Sequence, residues 1–218
     1  MQGRLPRGVA RIAVICHAAD PLACRAREHI RWILCLRFAA RTRRGRYSAG
    51  RLATGEEVPA YADEDGVEPE RHTETFAELV LELDSGRWAG TPFVLRAGKA
   101  LSRRRKMAIV RFRPAGNQAD ELWIGVDGPD DVSLRLRGGP PEAPVPLTLS
   151  GTPPGLELPA YSRVLLDVLN GGSTLSIGGD EAVEAWRVVT PVLEGWASCA
   201  VPLEEYPAGS AGPPRTNG

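Results

Sequence analysis

The sequence predicts an α+β fold, a large and mainly antiparallel sheet with helices packed on one face. Three observations carry that expectation. Between Phe76 and Gly151, apolar residues recur at every second position in short runs separated by Gly and Pro turns. Beyond Pro159 the apolar period lengthens to that of a helix. No G-x-G-x-x-G follows any strand, so a doubly wound dinucleotide-binding sheet has no fingerprint here.

Residues 1–45 show neither clean strand alternation nor convincing helix caps. Their best element is a helix over "REHIRWILCLRFAA", with Ile30, Ile33, Leu34 and Phe38 near helical spacing. Up to Arg51 there are 12 arginines against only Asp20 and Glu28, and the composition changes near Tyr47. "EEVPAYADEDGVEPER", residues 56–71, is acidic, broken by Pro59, Gly66 and Pro69, and reads as a loop.

The strands follow. In "FAELVLELDSGRW", Leu79, Leu81 and Leu83 alternate with Val80, Glu82 and Asp84. "TPFVLRAG" comes next. "AIVRFRP" sets Val110 and Phe112 against Arg111 and Arg113. "ELWIGVDG" supplies Leu122, Ile124 and Val126, "DVSLRLRGG" supplies Val132, Leu134 and Leu136, and "PVPLTLSG" closes the set. Two helices are then expected. The first carries Tyr161, Val164, Leu165, Val168 and Leu169 on one stripe and stops at Asn170-Gly171-Gly172. The second starts with Asp180 as N-cap and kinks or ends at Pro191, with Trp186, like Trp88, in the core. The tail "YPAGSAGPPRTNG" is expected to be extended and frayed.

The 218 residues are 43% hydrophobic, enough for a real core, and carry 27 basic and 27 acidic side chains. Bulk charge therefore gives no argument for nucleic acid or a membrane surface as partner. No apolar run approaches the ~20 residues of a membrane span. Cys16, Cys24, Cys35 and Cys199 have no C-x-x-C spacing and read as reduced thiols of a cytoplasmic protein. His17, His29 and His72 have no metal-ligand spacing, and no metal is expected.

One stretch stands apart, "TPFVLRAGKALSRRRKMAIVRFRP". A strand ending at Gly98 lets the backbone turn and places Lys99 at a sheet end, with Arg104 five residues on. A point charge beside a bidentate fork suits a phosphate, although "SRRRK" also reads as a solvated basic turn.

"ERHTETFAELVLELDSGRWAGTPFVLRAGKALSRRR" resembles the C-terminal domain of glucose-6-phosphate dehydrogenases. The shared positions are Thr73, Thr75 and Phe76; Arg87, Trp88, Gly90, Pro92 and Phe93; and Arg96, Gly98, Lys99 and Leu101. "AYSRVLLDVLNGG", the helix after it and "YPAGSAGP" are similar to the family's closing helices and tail. The resemblance runs from about Arg46 to Pro213 and implies a division into residues 1–45, atypical and Arg-rich, a domain over 46–206, and a tail over 207–218.

It further implies a substrate, glucose 6-phosphate, contacted by Lys99 and Arg104, with a third contact that falls near Asp127 by a weaker alignment. It implies a homodimer through the sheet and NADP as the family's coenzyme, held on a Rossmann domain. The second, structural NADP site of animal members is not expected. Arg96 and Arg105 match it, but Ile109, Gly125 and Ala211 stand where arginines are needed. The family's Gly-rich loop and Arg-Ile-Asp-His-Tyr-Leu-Gly-Lys segment have no counterpart, and "REHIRWILCL" around His29 is similar to its catalytic-histidine motif but lies too close to Tyr47. Three readings stay open: an inactive substrate and dimerisation half with residues 1–45 translated out of frame, a chain that assembles with a separately encoded Rossmann half, and a non-catalytic dimerisation module.

Overall fold

The computed structural model describes residues 9–16, 41–83, 87–103, 105–114, 119–126, 132–138, 145–151 and 158–214. The helix expected around residues 27–40 lies outside them.

Eleven strands and two α-helices are described. The strands are β1 (Val9–Cys16), β2 (Thr42–Ser48), β3 (Gly50–Arg51), β4 (Glu57–Val58), β5 (Phe76–Glu82), β6 (Pro92–Gly98), β7 (Met107–Phe112), β8 (Glu121–Gly125), β9 (Val132–Gly138), β10 (Val145–Gly151) and β11 (Leu203–Pro207). The helices are α1 (Ala160–Leu169) and α2 (Gly179–Ala197). Nine strands form one sheet in the order β10-β9-β8-β7-β1-β6-β5-β2-β11, and β3 and β4 make a separate small hairpin. Only β1 with β6 and β11 with β2 pair in parallel. The expected α+β architecture, a mainly antiparallel sheet with helices, is the one observed.

The expected strands from Phe76 to Gly151 all form. The run from β7 to β10 is a meander of antiparallel neighbours, which short turns permit. The alternation of β5 shows in its surroundings. Phe76 and Glu78 are buried toward one face, while Ala77 and Leu79 pack toward α2 on the other. The acidic segment after Glu56 is a loop as expected, apart from β4 and two short 3-10 turns at Tyr61–Asp63 and Pro69–Arg71.

The sequence reading missed β1, which lies between β6 and β7 in register Val14 to Leu95 and Val14 to Ala108. "VARIAVIC" is apolar at both phases, the pattern of a strand with neighbours on either side, so the search for alternation passed over it.

Two clusters hold the region around β2. One joins Tyr47, Phe76, Tyr206 and Ala208, with Val58, Tyr61, Ala100 and Leu101 against them. Its rings meet edge to face, Phe76 on Tyr206 at 5.8 Å and Tyr47 on Tyr206 at 6.3 Å. The other joins Val192, Trp196 and Val201 to Ala77 and Leu79 and fastens α2 to the sheet. Each fully buried side chain of this kind contributes about 1.5–3 kcal/mol.

The helices depart from expectation in three ways. The N-cap of α2 is Gly178, whose N–H donates to the Glu181 carboxylate at 2.9 Å, and Asp180 lies inside the first turn. Pro191 does not end the helix, which runs on to Ala197 because Val192 and Trp196 are anchored beyond it. Trp186 is 64% exposed rather than core. On α1 the stripe is exposed as well, Tyr161 at 77% and Leu169 at 81%. Periodicity identified that stripe as a helix face, of which Val164 is partly covered and Tyr161, Leu165, Val168 and Leu169 are exposed. Trp88 is partly covered and packs edge-on against Phe93 at 5.6 Å.

The tail is not frayed over its described part. Tyr206 is fully buried, β11 pairs with β2, and Ala208 donates its N–H to the Ser48 carbonyl at 3.0 Å.

Candidate functional site

The site grows from the end of β6. Gly98 is still a strand residue there, paired with Phe76 of β5. Its glycine character answers crowding rather than a turn, since a Cβ would stand 2.9 Å from Leu101 Cδ1 and 3.0 Å from Phe76 Cδ2. This corrects the sequence expectation. The residue that turns the chain is Ala100, at φ 48°, a left-handed conformation uncommon for a residue with a Cβ.

Lys99 sits between them. Its N–H donates to the Thr75 carbonyl at 2.9 Å, and its own carbonyl accepts from the Tyr206 hydroxyl at 2.9 Å. Both backbone groups are thus used inward, and the side chain is left exposed, its ammonium without a partner among the described residues. Arg104 and Asp127, the two other residues expected to contact substrate, lie outside the described residues, as does His29. The structure places Lys99 alone of the three.

The tail completes the corner. Gly209 donates its N–H to the Ala100 carbonyl at 2.7 Å, and Ser102 donates to the Ser210 carbonyl at 2.8 Å. Gly209 itself is at φ 82°. Thr75 links the whole. Its hydroxyl accepts from the Tyr47 N–H at 3.1 Å and lies 2.8 Å from the Tyr206 hydroxyl. The Tyr206 hydroxyl lies within donating distance of two carbonyls, Lys99 at 2.9 Å and Thr75 at 3.1 Å, and either hydroxyl of the Thr75–Tyr206 pair can be the donor between them. Burial pushes the Tyr206 phenol above its ordinary value, against the opposing hydrogen bonds to Thr75 and Lys99. It stays a neutral donor.

Sequence reasoning saw Tyr206 only as part of a matching tail. No local pattern signals that a tyrosine will bond to a carbonyl 107 positions earlier.

Further along the sheet lies a cluster of arginines. Arg96 pairs with its cross-strand neighbour Glu78, its Nε at 2.8 Å, and lies over the Phe76 ring at 5.6 Å. Arg105 and Arg135 lie over the Trp123 ring at 5.4 Å and 3.6 Å. Desolvation, then the charges of Arg103, Arg135 and Arg96, lower the Arg105 pKa. Trp123 was not singled out from the sequence, because a tryptophan in an alternating strand looks like any other large apolar residue. Among the described residues no group of His, Cys, Asp and Glu could hold a metal ion, and no helix is long and apolar enough to cross a membrane.

Comparison with known proteins extends these observations. A family model for "Glucose-6-phosphate dehydrogenase, C-terminal domain" matches residues 27–218. The chain is 36% identical to a glucose-6-phosphate 1-dehydrogenase of Treponema pallidum, over 79% of this chain and 37% of that protein. It is 38% identical to a glucose-6-phosphate 1-dehydrogenase 2 of Mycobacterium bovis, over 79% and 37%. Against that of Gluconobacter oxydans the figures are 34%, 80% and 38%. The chain therefore spans little more than a third of the length of these relatives. The fold is also that of a solved glucose-6-phosphate dehydrogenase in complex with its substrate glucose 6-phosphate, with TM-score 0.64 at 19% identity over 94% of this chain and 53% of that one. The enzyme from Mycobacterium avium superposes at TM-score 0.69 and 21% identity, with the same coverage.

Proposed function

Because the chain belongs to the glucose-6-phosphate dehydrogenase family, through its C-terminal domain, we propose that it is the substrate-binding and dimerisation half of an NADP-dependent oxidoreductase acting on glucose 6-phosphate. In this reading it serves the oxidative pentose phosphate route in the cytoplasm. One observation carries it. Lys99 stands in the matching Arg-x-Gly-Lys-x-Leu motif, with its backbone fixed inward and its ammonium presented outward at the sheet end.

Lys99 supplies a point charge to the substrate's anionic group, and Arg104, five residues on, supplies the fork that binds two phosphate oxygens at once. Asp127 completes the proposed set by accepting from a sugar hydroxyl. These groups bind and orient. Lys99 and Arg104 are cations, Asp127 is proposed as a hydroxyl contact, and no Gly-rich loop follows a strand to cradle a dinucleotide. The loop that would cradle NADP has no match in this sequence, so in this reading the hydride acceptor's half of the reaction belongs to a Rossmann domain.

A specific observation supports partners at two exposed apolar surfaces. Tyr161, Leu165, Val168, Leu169 and Trp186 are exposed on α1 and α2, and Val145, Leu147 and Leu149 are exposed on β10. The helix face suits a Rossmann-domain chain, and the sheet suits a second copy. The test is an assay of glucose 6-phosphate-dependent NADP reduction by the purified chain. No turnover is expected. Turnover by the chain alone overturns the division of labour proposed here.

A further inference from the structure

We propose that Tyr206, in the C-terminal tail, is a positioning residue for Lys99, holding the Lys99–Ala100 peptide in the one orientation that presents the lysine to an anion. The inference rests on the reading of Lys99 as a phosphate contact and adds the device that sets its direction.

The argument starts from Ala100. A residue with a Cβ at φ 48° is in a disfavoured conformation, and rotation of the peptide before it returns φ to the negative range. Such a rotation turns the Lys99 carbonyl away from its present direction. Something must oppose it. The Tyr206 hydroxyl does, reaching that carbonyl at 2.9 Å and the Thr75 carbonyl at 3.1 Å, with the Thr75 hydroxyl 2.8 Å away. The Ala100 carbonyl on the far side is pinned by Gly209 at 2.7 Å, and the Lys99 N–H by Thr75 at 2.9 Å.

Tyr206 is 0% exposed and packed against Phe76 and Tyr47, so its hydroxyl cannot follow a moving partner. The peptide is therefore held at its own carbonyl by Tyr206 and flanked by bonded groups on both neighbouring peptides, and the left-handed Ala100 is retained. Backbone strain held by its surroundings is characteristic of binding and active sites. Here it fixes the path of the backbone through the corner from which the Lys99 ammonium is presented.

The test uses the full chain labelled for NMR and two readouts. The first needs no ligand, namely amide hydrogen exchange at Lys99 and the Cα and Cβ shifts of Ala100. In Tyr206→Phe, exchange at Lys99 is expected to rise at least tenfold and the Ala100 shifts to move to right-handed values, with exchange at Val94 and Leu95 within threefold of the parent. The second is a titration with glucose 6-phosphate. Tyr206→Phe is expected to weaken binding about three- to tenfold. In an Ala100→Gly background, where a positive φ carries no strain, the same change is expected to cost less than twofold.

A merely structural role lowers affinity equally in both backgrounds and leaves the Ala100 shifts unmoved, and that result overturns the proposal. Thr75→Val, which removes the hydroxyl beside Tyr206 together with the acceptor of the Tyr47 N–H, gives the same ordering at smaller size and serves if Tyr206→Phe does not fold. If the parent chain does not respond to glucose 6-phosphate, the substrate reading falls, while exchange and shifts still decide whether Tyr206 holds the peptide.

Discussion

The indole N–H of Trp196 donates to the Thr42 hydroxyl at 3.2 Å, tying the last turn of α2 to the first residue of β2. Trp196 is 4% exposed, whereas Trp186 on the same helix is 64% exposed. The two tryptophans therefore answer substitution differently. Trp196→Ala is expected to cost about 3–5 kcal/mol, as large-to-small changes in a core do. Trp186→Ala is expected to change stability by less than about 0.5 kcal/mol. Urea denaturation of the two variants checks the contrast, and equal losses contradict the placement of α2.

Phe76 lies between two glycines. A Cβ on Gly98 would stand 3.0 Å from its Cδ2, and one on Gly212 would stand 2.8 Å from its Cε2. Gly98→Ala must displace Leu101 and the ring together, for about 1–3 kcal/mol of overpacking. Gly212→Ala adds to the same crowding the strain of a side chain at φ 98°, worth about 1–2 kcal/mol more. Thermal denaturation should rank them parent, Gly98→Ala, Gly212→Ala. The reverse order of the two variants contradicts this packing.

Alkaline pH should weaken the same region. Desolvation raises the pKa of both Tyr47 and Tyr206, and for Tyr47 the hydrogen bond to Glu64 and its charge add to it. A folded-state phenol with a raised pKa binds protons that the unfolded chain has released. Its stabilisation is complete below the ordinary tyrosine value of about 10 and is lost as pH rises through the folded value. Melting temperature should be insensitive to these groups from pH 7 to 9 and fall from about pH 10 upward. In Tyr206→Phe the alkaline fall should be shallower.

At the acid end Glu121 acts in the opposite sense. Burial pushes its carboxyl up, but hydrogen bonds from Arg111 and Trp123 and the charges of Arg111 and Arg135 outweigh it and bring the pKa below the usual value. Its stabilisation is present above about pH 4.5 and is lost as pH falls through the folded value. Glu121→Gln should flatten the acid limb of the stability curve. An unchanged acid limb contradicts the assignment.

Much of the fold was legible because the strands from Phe76 to Gly151 alternate and end at Gly or Pro, so each carries its own period and stop. β1 was not, since an apolar run at both phases carries no alternation and its pairing with β6 spans some eighty residues of chain. Pro191 does not end the helix because a local rule yields to tertiary anchoring by Val192 and Trp196. At the site, Lys99 was visible as a cation at a glycine corner. The sequence could not show that Ala100 makes the turn while Gly98 makes room, nor that Tyr206 holds the lysine's carbonyl. Those are contacts between segments far apart in the chain, and local pattern carries no record of them.

The most direct measurement is an NMR titration of the purified chain with glucose 6-phosphate, with glucose as control, repeated on Lys99→Met. Cationic contacts on an open surface are strongly screened, so binding at about 1 mM or weaker is expected. Shifts should centre on residues 98–102, glucose should produce none of them, and Lys99→Met should weaken binding at least fivefold. Equal binding by Lys99→Met, or equal responses to glucose and its phosphate, contradicts the assignment of Lys99 as the phosphate contact.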